Sequence, residues 1–146
     1  MWKNTEYLYR RHKLFISHNS ESINFAKKVQ TLLERSWKEG SNFIHHNVSC
    51  YVADIEIGHQ NYIEDILHHL KHMDAFIFFS NEHSNKSSSC NQEIGYALAR
   101  EVPILCGKWG NSIPPAFIHT NQAFKIINAE DTVDKIKSFF RQTYTY

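Results

Sequence analysis

The apolar run Ala75-Phe76-Ile77-Phe78-Phe79 narrows the choice of fold more than any other stretch of this chain. Five bulky residues without a polar break suit a strand covered on both faces; a half-exposed strand would alternate. A second apolar run, Val102 to Cys106, contains Pro103 near its start, where a strand tolerates proline. Between the two runs the pattern is helical: Ile94, Ala97 and Leu98 fall on one side, with Glu93 and Arg100 elsewhere. Strand, loop, helix and strand in that order make a βαβ unit and call for a parallel sheet. In an open α/β sheet the loops after the carboxyl ends of the strands line the ligand crevice. The segment Ser80 to Ser89 is therefore expected at a crevice, with Glu93 one turn into the helix that leaves it.

Ser89 and Gln92 fit an S-x-x-Q capping box, in which each side chain satisfies a backbone N–H of the helix start. That leaves Glu93 uncommitted. Its position allows two readings: a solvated helix residue mildly favoured by the helix dipole, or a carboxylate that meets a ligand.

The rest of the chain repeats the alternation. Lys13 to His18 reads as the first strand, ending at Asn19-Ser20, where Ser20 or Ser22 can cap a helix. Phe25, Val29, Leu32, Leu33 and Trp37 then recur at helical spacing, and Gly40 suits the residue just past the helix end. Val48 to Ala53 reads as the second strand, and Asp54 to Gln60 as a loop at the same sheet edge. Asn61 to Met73 is amphipathic, with Ile63, Ile66, Leu67, Leu70 and Met73 on one stripe. A polar turn, Gly107 to Pro115, precedes a short fifth strand, Phe124 to Ile127, and a closing helix, Ala129 to Gln142. The expected fold is α/β: a flavodoxin-like five-stranded parallel sheet with helices on both faces, as a single domain over 1–146 with an N-terminal arm at 1–12.

At 146 residues the chain has the size of one ordinary domain. A formal charge of +1 and a lone basic cluster, Arg10 to Lys13, give no footprint for nucleic acid. The three cysteines, Cys50, Cys90 and Cys106, are odd in number and lack CxxC spacing, which argues for a reducing compartment. No stretch has the length of a membrane span or the pattern of a secretory leader, so the reading is cytoplasmic. Of ten histidines, His68 and His72 lie four apart on one helix, but without the acidic partner of H-E-x-x-H they read as a solvated face, and no metal is expected. Neither GxGxxG nor GxxxxGK[ST] occurs, which excludes the usual dinucleotide and triphosphate loops. Ser17-His18-Asn19-Ser20 runs into a helix start, where backbone N–H groups either bind an anion or serve only as caps.

Taken together these segments resemble a Toll/interleukin receptor (TIR) domain over Lys13 to Phe140. Leu14-Phe15-Ile16-Ser17-His18 resembles the family's opening strand, Ile57-Gly58 the turn of its BB loop, and Ser89-Cys90-Asn91-Gln92-Glu93 its W-C-x-x-E segment, with Ser89 standing where the family often has Trp. The resemblance implies a bacterial-type enzyme that cleaves NAD+ at the nicotinamide–ribose bond. NAD+ is then a substrate, not a cofactor; Glu93 is catalytic; Ser17, His18, Asn19, Gly58, Ser89 and Cys90 bind substrate. The product is ADP-ribose or a cyclic ADP-ribose, and the implied setting is immune or antiphage defence. It also implies self-association through TIR–TIR contacts, with no nucleic acid or membrane partner. Two alternatives stay open: a non-catalytic signalling scaffold of the same family, and a related α/β enzyme resembling nucleoside deoxyribosyltransferases. A phosphate-accepting receiver domain is disfavoured, because Ser17-His18 and Ser80-Asn81 do not supply its acidic residues.

Overall fold

The computed structural model of the chain describes residues 11–39, 47–53, 62–115, 118 and 122–144. Five strands form one parallel sheet: β1 (Arg11–Ser17), β2 (Asn47–Val52), β3 (Ala75–Ser80), β4 (Ile104–Lys108) and β5 (Ala123–Lys125). Their order is β2-β1-β3-β4-β5, the flavodoxin-like arrangement. Five helices connect and close them: α1 (Ile23–Glu39), α2 (Tyr62–His72), α3 (Glu82–Lys86), α4 (Ser88–Arg100) and α5 (Ala129–Tyr144). A 3-10 turn, Ser20–Ser22, leads into α1.

The strand periodicity of two sorts the core into two layers. From β1, Leu14 and Ile16 join Ala75, Ile77 and Phe79 of β3 under α1 and α5, where Ala26, Val29, Leu33, Val133 and Ile136 meet them. The intervening residues Phe15, Phe76 and Phe78 point to the opposite face, against Leu70 of α2 and Cys90, Ile94 and Ala97 of α4. All six residues of β3 are buried, as its unbroken apolar run requires. Each fully buried Phe contributes about 2 kcal/mol of transfer free energy.

Three local expectations are corrected. Ser87, not Ser89, caps α4: its side chain accepts the Cys90 N–H, so Ser89 lies inside the first turn and no Ser89–Gln92 box forms. The capping box belongs instead to α3, where Asn81 and Ser84 bond reciprocally. Neither Ser20 nor Ser22 caps by its side chain; Ser22 donates back to Asn19 Oδ1 at 2.6 Å. The stripe on α2 is narrower than expected. Leu70 and Met73 are buried, whereas Ile63 is 69% and Leu67 41% exposed. Gly40, Gly58 and most of the 1–12 arm lie outside the described residues.

Candidate functional site

The order β2-β1-β3 places the reversal of strand order at the carboxyl ends of β1 and β3. A parallel sheet opens a crevice at such a point, because the connections leave it on opposite faces. Ser17 ends β1 and shares the parity of Phe15, so its side chain faces the α2/α4 side. On α4 the buried residues are Cys90, Glu93, Ile94 and Ala97. That is the i, i+3, i+4, i+7 stripe of a core-facing helix, and Glu93 occupies one of its places. Helix α4 therefore carries a carboxylate down onto the end of β1, where Ser17 Oγ donates to Glu93 Oε1 at 2.6 Å.

Glu93 is 8% exposed, and no described lysine or arginine forms an ion pair with it. Burial pushes its carboxyl up from the usual range to about 7, against the opposing effect of the Ser17 hydrogen bond. A carboxylate seated in this way titrates in the physiological range, as functional carboxylates often do.

Around Glu93 is a cavity of about 330 Å³, lined also by His18, Asn19, Ser20, Glu21, Ala53, Tyr62, His83, Ser87 and Ser89. Its size fits the lower part of the range for small-molecule sites. An adjoining hollow of about 450 Å³ shares Glu21 and His83 with it and adds Asn81, Glu82, Trp109, Asn111 and Ser112. The shared Glu21 and His83 approach each other at 3.5 Å.

The crevice walls are laced together. His18 is held between two carbonyl groups, with Nδ1 at 2.7 Å from the Asn19 oxygen and Nε2 at 2.9 Å from that of Ala53. This joins the ends of β1 and β2. Asn81 Nδ2 donates to Asn19 Oδ1 and to Ser22 Oγ, each at 3.1 Å, joining the loops after β1 and β3. Ser80 Oγ donates to Asn85 Oδ1 at 2.8 Å, and Ser112 Oγ donates to the Ser80 carbonyl at 3.0 Å.

Of the residues singled out in the sequence, Glu93, His18, Asn19 and Ser89 line the cavity, and Ser17 holds Glu93 from behind. Cys90 points away from the cavity lining: it is buried, its thiol contacts the His18 carbonyl at 3.5 Å, and burial raises its pKa. Glu21 and Tyr62 line the cavity without having been anticipated, whereas His83 and Ser87 belong to the Ser80 to Ser89 segment expected at the crevice. Glu21 adjoins a segment already placed at the crevice, and no periodic signal marks Tyr62. The stacked Tyr51 and His69 rings, 3.8 Å apart, and the His68–His72 pair belong to β2 and α2, outside this lining. Among the described residues no group of three His, Cys, Asp or Glu is placed to hold a metal ion, and no helix is long and apolar enough to cross a membrane.

Residues 14–139 match the family model described as TIR domain. No curated protein sequence matches the chain. Among solved structures, a CMP N-glycosidase from Clostridium botulinum is similar, with a TM-score of 0.53 and 16% identity over 86% of this chain and 98% of that one. At that identity the likeness speaks for the fold alone.

Proposed function

Because the chain belongs to the TIR domain family, we propose that it is an enzyme that cleaves the nicotinamide–ribose bond of NAD+, with Glu93 as its catalytic carboxylate. The observation that carries this reading is the burial of Glu93 at the floor of a cavity on the β1/β3 switch point, oriented by Ser17. Glycosidases whose leaving group would otherwise depart as an anion ordinarily use two carboxyl groups, one to protonate the departing atom. A pyridinium needs no such acid. The C1′–N bond breaks, its electron pair stays on the ring nitrogen, and nicotinamide leaves neutral. The positive charge passes to the ribose, where an ionised Glu93 stabilises it in a water-poor pocket, a contribution of several kcal/mol to the barrier. Water then bonds to C1′ and loses a proton, giving ADP-ribose. If a hydroxyl or ring nitrogen of the same molecule attacks instead, a cyclic ADP-ribose forms.

His18, Asn19 and Ser89 serve as substrate contacts in this reading, and Ser17 as the residue that positions Glu93. Cys90 acts by packing beneath the loop. The family's habit of self-association supplies the remaining surface, with the segment containing Gly58 contributed across a TIR–TIR contact. The setting is cytoplasmic defence signalling.

Nicotinamide release by the purified chain, wild type against Glu93→Ala, tests the reading. Equal release by both rejects Glu93 as the catalytic residue, and none from concentrated wild type leaves the scaffold role. A second reading has one observation in its favour: with its pKa pushed to about 7, Glu93 is partly protonated at neutral pH and has a proton to give to a neutral base. The pH profile separates the two. A carboxylate that stabilises positive charge gives activity rising with pH through 7, whereas a proton donor gives activity falling through 7, with cytidine or its monophosphate as substrate.

A further inference from the structure

The crevice is poor in positive charge. The cavity around Glu93 is lined by two carboxylates, Glu21 and Glu93, and two histidines, His18 and His83, with no lysine or arginine among the described lining residues. The adjoining hollow adds a third carboxylate, Glu82, and again no lysine or arginine. Three side chains at the end of β1 and in the loop after it are committed to the protein. Ser17 Oγ donates to Glu93, Asn19 Oδ1 accepts from Ser22 and Asn81, and both His18 nitrogens face carbonyl oxygens. Sites that grip phosphate use Arg or Lys, or free N–H groups at a helix start. Here helix starts at Ser20 and Ser88 adjoin the cavity, but its described lining has no Arg or Lys, and the lining carboxylates, being of like charge, raise the free energy of a bound phosphate.

We infer that the crevice selects its substrate by the positive charge of the departing base, with phosphate groups adding little to recognition, so that the smallest sufficient substrate is a pyridinium ribonucleoside. The inference rests on the NAD+-cleaving reading and deepens it. The pyridinium enters between Glu21 and Glu93, which attract it, and any phosphates remain towards solvent at the mouth. Glu21 is the residue that sets this preference: it is exposed, shared by both hollows and paired with His83, the histidine that a phosphate at the mouth would approach.

The test compares nicotinamide released from NAD+, nicotinamide riboside and nicotinamide mononucleotide by the full chain, at matched ionic strength and at a protein concentration where NAD+ is consumed. The expected kcat/KM for the riboside is at or above that for the mononucleotide and within about tenfold of that for NAD+, the factor that corresponds to 1.4 kcal/mol. A riboside value more than tenfold below either of the others overturns the inference while leaving NAD+ cleavage intact. No release from any of the three rejects the NAD+ reading itself, and this inference with it. Glu21→Lys, a change on an exposed turn, is expected to raise the mononucleotide-to-riboside ratio several-fold. An unchanged ratio removes Glu21 from the selection.

Discussion

Replacing Glu93 by Gln should stabilise the fold, and by an amount that depends on pH. The carboxyl titrates near 4.5 in an unfolded chain and at about 7 in the folded one, because burial opposes the charge. A folded-state pKa raised in this way means that the native protein holds the proton over a range where the unfolded chain has lost it. Stability from this group is complete below about 4.5, falls as pH rises towards 7, and then levels off. The interval of about 2.5 pH units, at 1.36 kcal/mol each, gives a loss of about 3 kcal/mol. Glutamine keeps the shape and still offers an oxygen to Ser17 Oγ, but does not titrate. The stability difference between Glu93→Gln and wild type should therefore grow by about 3 kcal/mol between pH 4.5 and pH 8, with the variant the more stable at pH 8. Urea denaturation of both proteins at half-unit steps from pH 4 to 9 measures it, since all other groups are common to the two and cancel. A difference that stays flat across this range would show that Glu93 is not desolvated, and the electrostatic basis of the site would fall with it.

Removing the Ser17 hydroxyl by Ser17→Ala takes away a hydrogen bond to a charged acceptor, worth about 1.5–3 kcal/mol. The pH midpoint of NAD+ cleavage should then move upward by about one to two units, and a midpoint that stays or falls would remove Ser17 as the orienting group. Gly95 and Glu101 call for opposite exchanges. Gly95 sits inside α4 with nothing within 4 Å of an added Cβ, so Gly95→Ala should stabilise by about 1 kcal/mol in the same urea assay. Glu101 ends α4 in the left-handed region at φ 57°, where glycine is at ease, so Glu101→Gly should also stabilise, by about 1 kcal/mol. Loss of stability in either variant would contradict the assigned backbone.

The strands were legible because burial on both faces leaves an unbroken apolar run. Ala75 to Phe79 predicts β3 to within one residue, and Lys13 to His18 predicts β1 to within two. Helices α1 and α5 follow from their apolar spacing. Helix α3 was not legible, since Asn81 and Ser84 stabilise it by side-chain caps and its five residues carry no periodic apolar signal. Three consecutive serines before Cys90 each suit a cap by type, and only the backbone path selects Ser87. Glu93 is the instructive case. Its spacing from Cys90, Ile94 and Ala97 fits the buried stripe, yet a charged residue is normally assigned to solvent, so Leu98 is the natural choice on sequence. The partner that makes the burial tolerable, Ser17, lies 76 residues away, and no local pattern announces it.

Because the sheet is filled separately on its two sides, a layer of backbone separates the half of the interior that carries Glu93 from the other half. Leu33, Val133 and Ile136 lie on the side away from Glu93, whereas Phe15, Ile94 and Ala97 share its side. Drift in the first group reaches the cavity only by way of Ile16, which packs with that group and also lines the cavity. The second group has less licence, for a methyl group gained or lost there bears directly on the helix that carries Glu93.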